Sequence, residues 1–304
     1  MVKTLAAASL ALALCACGHS APPASAAKTA AASTTHAPAV AGTVAATSGQ
    51  PVGVPDTPDE MTPPMSASQL LGQMLAKVLD DPARSKADKA LDADRHPAQT
   101  LTFFGLRPDM TVIEVDPGKG WYASILAPLL KDNGTYTAAM VSSLSSKQAA
   151  DALQTMRQLF QSDPGRFARA QLATFDPHTP NLGTPGSADM VLSFRDVQRW
   201  IANGTAPAMF RAVAQVLKPG GVFGVVAWRA DDDTDAAGAL PYVRKATVVE
   251  LATQAGLQLD AGSGINANPA DEGDGNPPPA DANRMTLRFV KPASAATAAA
   301  TINT

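Results

Sequence analysis

The stretch VIEVDPGKGWYASILAPLL, Val112–Leu130, decides how the rest of the chain is read. It runs as a strand, a glycine turn and a helix, the arrangement by which many α/β proteins hold a nucleotide-like ligand. The turn is crowded: Asp116, Pro117 and Lys119 surround Gly118 and Gly120. Outward from it, strand and helix patterns alternate, which predicts a mostly parallel sheet covered by helices. TVIEV is the first strand and WYASILAPLLK the helix after it; TYTAAMV, ARAQLATF, ADMVLSF and VFGVVAW supply four more strands. Helices are expected over SKQAADALQTMRQLFQ, over APAMFRAVAQVLKPGG, where Pro219 and two glycines stop the helix, and over YVRKATVVELATQAG. LQLDAGS and RMTLRFV come last, and their adjacency along the chain predicts an antiparallel pair at the sheet edge, across a loop of about twenty residues. The expected fold is a Rossmann-like, doubly wound α/β sheet of seven strands.

A chain of 304 residues with 45% hydrophobic and 17% charged residues can bury one core and carry tails. The net charge of −3 and the scattered basic residues argue against nucleic acid as a partner. At the N-terminus, Lys3 precedes LAAASLALAL, too short to span a bilayer and the right length for a signal-peptide core. Leu14, Cys15 and Ala16 before Cys17 resemble the lipobox of bacterial lipoproteins. On that reading residues 1–16 are removed, Cys17 is lipidated, and the chain is held in the cell envelope, on the periplasmic face, by a membrane anchor. The alternative is an ordinary secretory signal with two incidental cysteines. No cysteine follows Cys17, which excludes disulfides and thiolate metal sites from the folded part. Residues 17–65 are rich in Ala, Pro, Ser and Thr and hold too few large apolar side chains to offset the entropy of ordering, so they read as a tether. His19 and His36 within it have no partner at ligand spacing. Residues 292–304 read as a similar tail, which leaves 66–291 as the folded domain.

RHPAQTLTFFGLRPDMTVIEVDPGKGWYASILAPLL, GSADMVLSFRDVQRW, INANPAD and RMTLRFVKP, with the LKPGG turn before the fifth strand, resemble class I S-adenosylmethionine-dependent methyltransferases, and more narrowly an exported bacterial group of that family. The resemblance spans about Arg84 to Pro292. It implies S-adenosylmethionine as cofactor and methyl transfer as the reaction class, and it leaves the acceptor open. In such enzymes the turn carries an acid and then Gly-x-Gly-x-Gly, because a residue without Cβ lets the backbone approach the cofactor. Here the acid is Glu114; Pro117, Gly118, Gly120, Trp121 and Tyr122 match the turn of the exported group, while Asp116 and Lys119 depart from the general pattern and Lys119 from the group's as well. The resemblance makes Glu114, Gly118, Gly120, Trp121 and Asp176, at the end of the third strand, the cofactor-binding candidates. At the end of the second strand, where a carboxylate commonly accepts both ribose hydroxyls, stands Met140, followed by Val141, Ser142 and Ser143. The literal match of Gly118, Gly120 and Ala123 to a dinucleotide fingerprint suffers from the same missing acid, and the strand pair and LKPGG weigh against NAD.

Methyl transfer asks for an acceptor held in line with the methyl donor and often a base. The segment FRDVQRW supplies the catalytic candidates Arg195 and Asp196, with Trp200 matching the exported group; Gln198 stands where that group carries a histidine and cannot titrate. A salt bridge from Asp196 to Arg195 or Arg199 is the competing reading. Arg95 and His96 match the group's pattern before the first strand, and Asn266 and Asn268 in INANPAD are candidates for the acceptor pocket or simply turn residues. Asp231 to Asp235, DDDTD, lacks calcium-loop spacing and reads as a solvated loop. Hydrolase and phosphotransfer motifs are absent. Two functions are expected to compete: an envelope lipoprotein that methylates a small-molecule or envelope acceptor, and a non-catalytic ligand-binding or scaffold lipoprotein that kept the fold.

Overall fold

The computed structural model describes residues 65–230, 241–271, 278–279 and 281–293. Cys17, the tether up to residue 64, the DDDTD stretch and the tail from residue 294 lie outside the described residues. Four helices precede the first strand, none of them anticipated above: α1 (Ala67–Leu79), α2 (Lys86–Ala90), α3 (Asp92–Arg95) and α4 (Pro97–Phe103). Ser66 and Gln69 close a reciprocal capping box at the start of α1, and Leu71 and Leu75 are its buried contacts. His96, in the left-handed region at φ 43°, breaks the chain between α3 and α4, and Pro97 opens the new helix.

The alternating part follows as β1 (Thr111–Val115), α5 (Ala123–Leu130), β2 (Thr135–Val141), α6 (Lys147–Ser162), β3 (Ala170–Phe175), β4 (Ala188–Phe194), α7 (Val197–Ala202), α8 (Ala206–Val216), β5 (Leu217–Trp228), α9 (Lys245–Gln254), β6 (Gln258–Ser263) and β7 (Arg284–Val290). The seven strands form one α/β sheet in the order β3-β2-β1-β4-β5-β7-β6. All pairings are parallel except those of β7, which runs antiparallel to β5 on one side and to β6 on the other. The last two strands do pair antiparallel, with β7 inserted inside the sheet and β6 left at the edge.

Two departures from the sequence reading have local causes. The helix expected through LKPGG ends at Val216, because Leu217 is already extended at ψ 138°. Leu217 to Gly221 instead join β5, held by Gly220 N donating to Lys291 O and Lys291 N donating to Gly221 O. The short helix α7 was read only as a segment after the fourth strand; Val197 and Trp200, three positions apart, turn its buried side inward.

Side chains alternate along each strand, and the sheet therefore has a core on each face. Ile113, Val115, Val191, Phe223 and Val225 pack with α7, α8 and α9 residues such as Trp200, Phe210 and Val248. Val112, Tyr136, Ala138, Leu192 and Val226 pack under α1, α4 and α5, against Leu75, Leu101 and Leu126. The early helices are seated by a glycine: a methyl group on Gly224 of β5 would stand 2.8 Å from Phe104 Cδ2, 2.9 Å from its Cε2 and 2.7 Å from Leu192 Cδ2. Phe104 is fully buried and has no room to withdraw. Gly224→Ala is expected to lower unfolding stability by about 1–3 kcal/mol through overpacking, read from chemical unfolding.

Candidate functional site

β1 has β2 on one side and β4 on the other, so the chain leaves β1 and β4 toward different faces and their C-terminal ends part. Ligands of open α/β sheets bind at such a switch point. The turn after β1 is wound tightly: Asp116 N donates to Ala139 O at 2.7 Å, and Asp116, Gly118 and Gly120 have φ of 47°, 60° and 85°. A methyl group on Gly118 would meet nothing within 4 Å, so the backbone there is open to a ligand. Gly120 is different. A methyl group on it would lie 2.3 Å from Leu159 Cδ2 and 3.3 Å from Met156 Cε, both on α6, and it borders neither cavity described below. Its smallness serves helix packing, a correction to its expected place at the cofactor.

Two cavities open at the turn. The first, of about 490 Å³, is bounded by Glu114, Trp121, Arg195 and Asp196, with Arg95 from α3 and Arg284 from β7. The second, of about 630 Å³, lies over the ends of β2 and β3 and is bounded by Met140, Phe175, His178, Ser146 and Thr155. Asp116, Gly118, Lys119 and Arg199 border both. Between the cavities, Arg199 Nη2 lies 2.6 Å from Asp116 Oδ2 and 2.6 Å from Asp196 Oδ1, a bridge from the end of β1 to the start of α7.

Of the candidates, Glu114, Gly118, Trp121, Arg195 and Asp196 thus meet at one cavity. Trp121 is buried, donates from Nε1 to Asp88 O at 2.9 Å and lies under the guanidinium of Arg95 at 4.5 Å; it walls the cavity and does not cover the turn as a lid. Tyr122 stacks on Phe194 at 3.5 Å. Asp196 has both oxygens engaged, Oδ2 accepting from Ser193 Oγ at 3.2 Å and Oδ1 from Arg199, so the ion-pair reading describes it. Arg195 is not its partner: it sits at φ 69° with its guanidinium 5.6 Å from the centre of the Trp228 ring. Asp176 is not brought to either cavity. It is exposed and accepts from His178 N at 2.8 Å, while its neighbours Phe175, Pro177 and His178 face the second cavity. An Asx turn, which the following proline favours, decides this.

Met140 stands at the end of β2, 1% exposed and bordering the second cavity, with no carboxylate at that strand end. Ser142 Oγ accepts from Leu144 N and Ser146 Oγ caps α6 by accepting from Ala149 N. Asp151 borders the cavity from α6 but is exposed and paired with Lys147. Asn266 is buried and donates to Thr100 Oγ1 and Thr286 Oγ1, tying α4 to β7, with His96 Nδ1 at 3.4 Å from its Oδ1. Asn268 Oδ1 accepts a turn bond from Ala270 N, while its backbone N donates to Asn283 Oδ1 and its Nδ2 to Asp281 O. Gln198 Nε2 donates to Arg195 O, and its Oε1 is buried without a partner. Among the described residues no group of His, Cys, Asp or Glu is assembled for a metal ion, and no helix is long and apolar enough to cross a membrane.

The electrostatics follow from burial. Glu114 accepts from Tyr136 Oη at 2.6 Å, and desolvation, opposed by that bond and reinforced by Asp116, pushes its carboxyl up to about 8. Asp196 is raised well above the usual carboxylate range by burial, with Arg199 opposing and Asp116 and Glu114 adding to the effect. Arg95 is lowered to about 10, first by burial and then by the charge of Arg195. Sequence reasoning named Arg199 only as a partner of Asp196 and did not bring Trp228, Asp88 or Arg284 to the site. Their one legible signal was position at strand or helix ends, which carries meaning only once the strand order is known.

No family model and no curated protein matches the chain. Among solved structures it is similar to a SAM-dependent methyltransferase from Aquifex aeolicus, at 16% identity over 73% of this chain and 98% of that one, with a TM-score of 0.46. It is also similar to the [4+2]-cyclase SpnF, at 18% identity over 75% of this chain and 97% of that one, TM-score 0.49. A third is the glycopeptide N-methyltransferase MtfA, at 15% identity over 69% and 100%, TM-score 0.48.

Glu114 has a measurable signature. Below about pH 4.5 both folded and unfolded chains keep its proton and the group costs nothing; between 4.5 and about 8 only the unfolded chain ionises, so this group makes stability fall as pH rises. Its contribution to the slope is at most about 1.4 kcal/mol per pH unit. Urea unfolding from pH 5 to 9 is expected to show a steeper fall for the wild type than for Glu114→Gln, which keeps an acceptor for Tyr136.

Proposed function

We propose that this protein is an S-adenosylmethionine-dependent, methyltransferase-like envelope lipoprotein acting on an acceptor still to be identified. The observation that carries the reading is the open, left-handed backbone at Gly118, shared by two cavities at the switch point between β1 and β4. There a ligand can approach the main chain and reach into both pockets. The fit to the cofactor is partial. Gly118 supplies the close backbone approach and the second cavity is large enough for a nucleoside, but the end of β2 offers the ribose a methionine. When bound, S-adenosylmethionine would supply an electrophilic methyl group. The chain's own part is to hold an acceptor in the first cavity beside the turn, walled by Trp121 and Glu114. Asp196, with both oxygens occupied, holds Arg199 rather than acting as a base. A second reading, a ligand-binding or scaffold protein without catalysis, is favoured by Met140 and by the Asp116–Arg199 bridge lying between the cavities.

Calorimetric titration with S-adenosylmethionine, S-adenosylhomocysteine and NAD in parallel tests the main reading; no heat with the first two at millimolar ligand would leave the non-catalytic one. Two charge-assisted hydrogen bonds, each about 1.5–3 kcal/mol in a well-formed site, are missing at the ribose. Met140→Asp is therefore expected to tighten S-adenosylhomocysteine binding by at least about tenfold. The unliganded variant, carrying a carboxylate at a buried position, is expected to melt below the wild type and to recover more on adding the ligand.

The lipoprotein part of the proposal rests on the sequence around Cys17. Mass spectrometry of the mature chain is expected to find acyl groups on Cys17 and the protein in the membrane fraction. Cys17→Ser should release it, and unchanged fractionation would refute the anchor.

A further inference from the structure

We propose that the first cavity is a binding site for a small ligand carrying a doubly charged oxyanion, held by Arg95, Arg195 and Arg284; on the methyltransferase reading, on which only this last step rests, that ligand is the acceptor. The three guanidiniums come from three separate places, α3, the end of β4 and the start of β7, and border the same cavity of about 490 Å³. A guanidinium has five N–H donors. Arg284 is 5% exposed, spends one donor on Asp94 O at 2.6 Å, and keeps a buried Nε with no partner. The Arg95 and Arg195 side chains make no hydrogen bond or ion pair among the described residues and lie over the rings of Trp121 and Trp228. Flat aromatic faces hold the guanidinium planes while leaving their N–H edges free.

The cavity's own acids offset this charge only in part. Asp116 and Asp196 are both engaged by Arg199, and Glu114 keeps its proton near neutral pH. The charge of Asp88 acts on Arg95, but burial and Arg195 outweigh it and Arg95 is still lowered to about 10. Arg195 lies close enough to the other two to lower the pKa of each, so the arginines repel one another in the free protein. A cluster of like charges with unspent donors is stabilised by a ligand of opposite charge, and two negative charges answer it better than one. S-adenosylmethionine is a poor candidate for this seat, because its carboxylate comes with an ammonium and a sulfonium.

The probes are inorganic phosphate and succinate, titrated calorimetrically into the full-length protein at constant ionic strength against chloride. The matching variant is Arg195→Asn. Asparagine tolerates the left-handed backbone at this position, and the substitution removes a repelling charge, so the variant is expected to melt no lower than the wild type. The expected result is saturable binding of phosphate or succinate by the wild type and at least a tenfold weaker affinity in the variant. Preference for phosphate over succinate would mark a phosphate monoester head, and the reverse a dicarboxylate; both uphold the site. Equal responses to chloride and to the dianions, or an unchanged affinity in Arg195→Asn, would overturn it. A variant that keeps the dianion and loses S-adenosylhomocysteine would also overturn it, by giving the arginines to the cofactor. Dianion binding without any S-adenosylhomocysteine binding would uphold the site and remove the methyltransferase reading alone.

Discussion

The hydrogen bonding of β1 to both β2 and β4 is the constraint from which the rest follows. β1 is paired on both edges and covered by helices on both faces, so its alternate side chains enter two cores. The connections leaving β1 and β4 then diverge, and the gap they leave at the C-terminal end of the sheet cannot be filled by either. The turn at Gly118 lies in that gap, and so do both cavities. Insertion of β7 between β5 and β6 extends the same geometry: it carries Arg284 to the cavity from a part of the chain far from the turn.

Desolvation shapes the chemistry of this gap more than pairing does. Glu114 and Asp196 are both nearly inaccessible, and burial raises both carboxyls. Burial also lowers Arg95 and Arg284, but guanidiniums spread their charge, and those of Arg95 and Arg195 rest on indole rings. The balance leaves a pocket in which Glu114 is protonated and Asp116 and Asp196 are held by Arg199, while Arg95 and Arg195 make no ion pair among the described residues. Arg199, half exposed, is the exception, since one of its nitrogens serves two carboxylates. It holds the end of β1 to the start of α7 and borders both cavities.

Much of the sheet was legible because strand signals are local. The bounds of β1, β2, β4 and β7 coincide with the apolar runs TVIEV, TYTAAMV, ADMVLSF and RMTLRFV. The early helices were not read, although Ser66 with Gln69, followed by Leu71, Met74, Leu75 and Val78, carries a capping box and a helical stripe. LKPGG misled because a proline and glycines stop a helix from sequence alone, whereas the pairing of Gly220 and Gly221 with Lys291 is a contact across the sheet. The same divide runs through the site. Glu114, Gly118, Arg195 and Asp196, singled out beside the turn and at a strand end, border one cavity, while Gly120 packs against α6 and Asp176 caps an Asx turn.

By itself the sequence determined the order of the strands along the chain, the doubly wound fold class, the glycine turn after the first strand, and the lack of an acid at Met140. These depend on side-chain periodicity, on residues without Cβ and on residue identity, all properties of short stretches. Only the tertiary structure decided which charges meet. Arg95, Arg195 and Arg284 are separated by long intervals of chain, and nothing local to any of them specifies the others. They converge because the end of β4 and the start of β7 lie at the same end of the sheet with only β5 between them, with α3 at the same cavity, and because electrostatic interaction depends on distance in space and not along the chain.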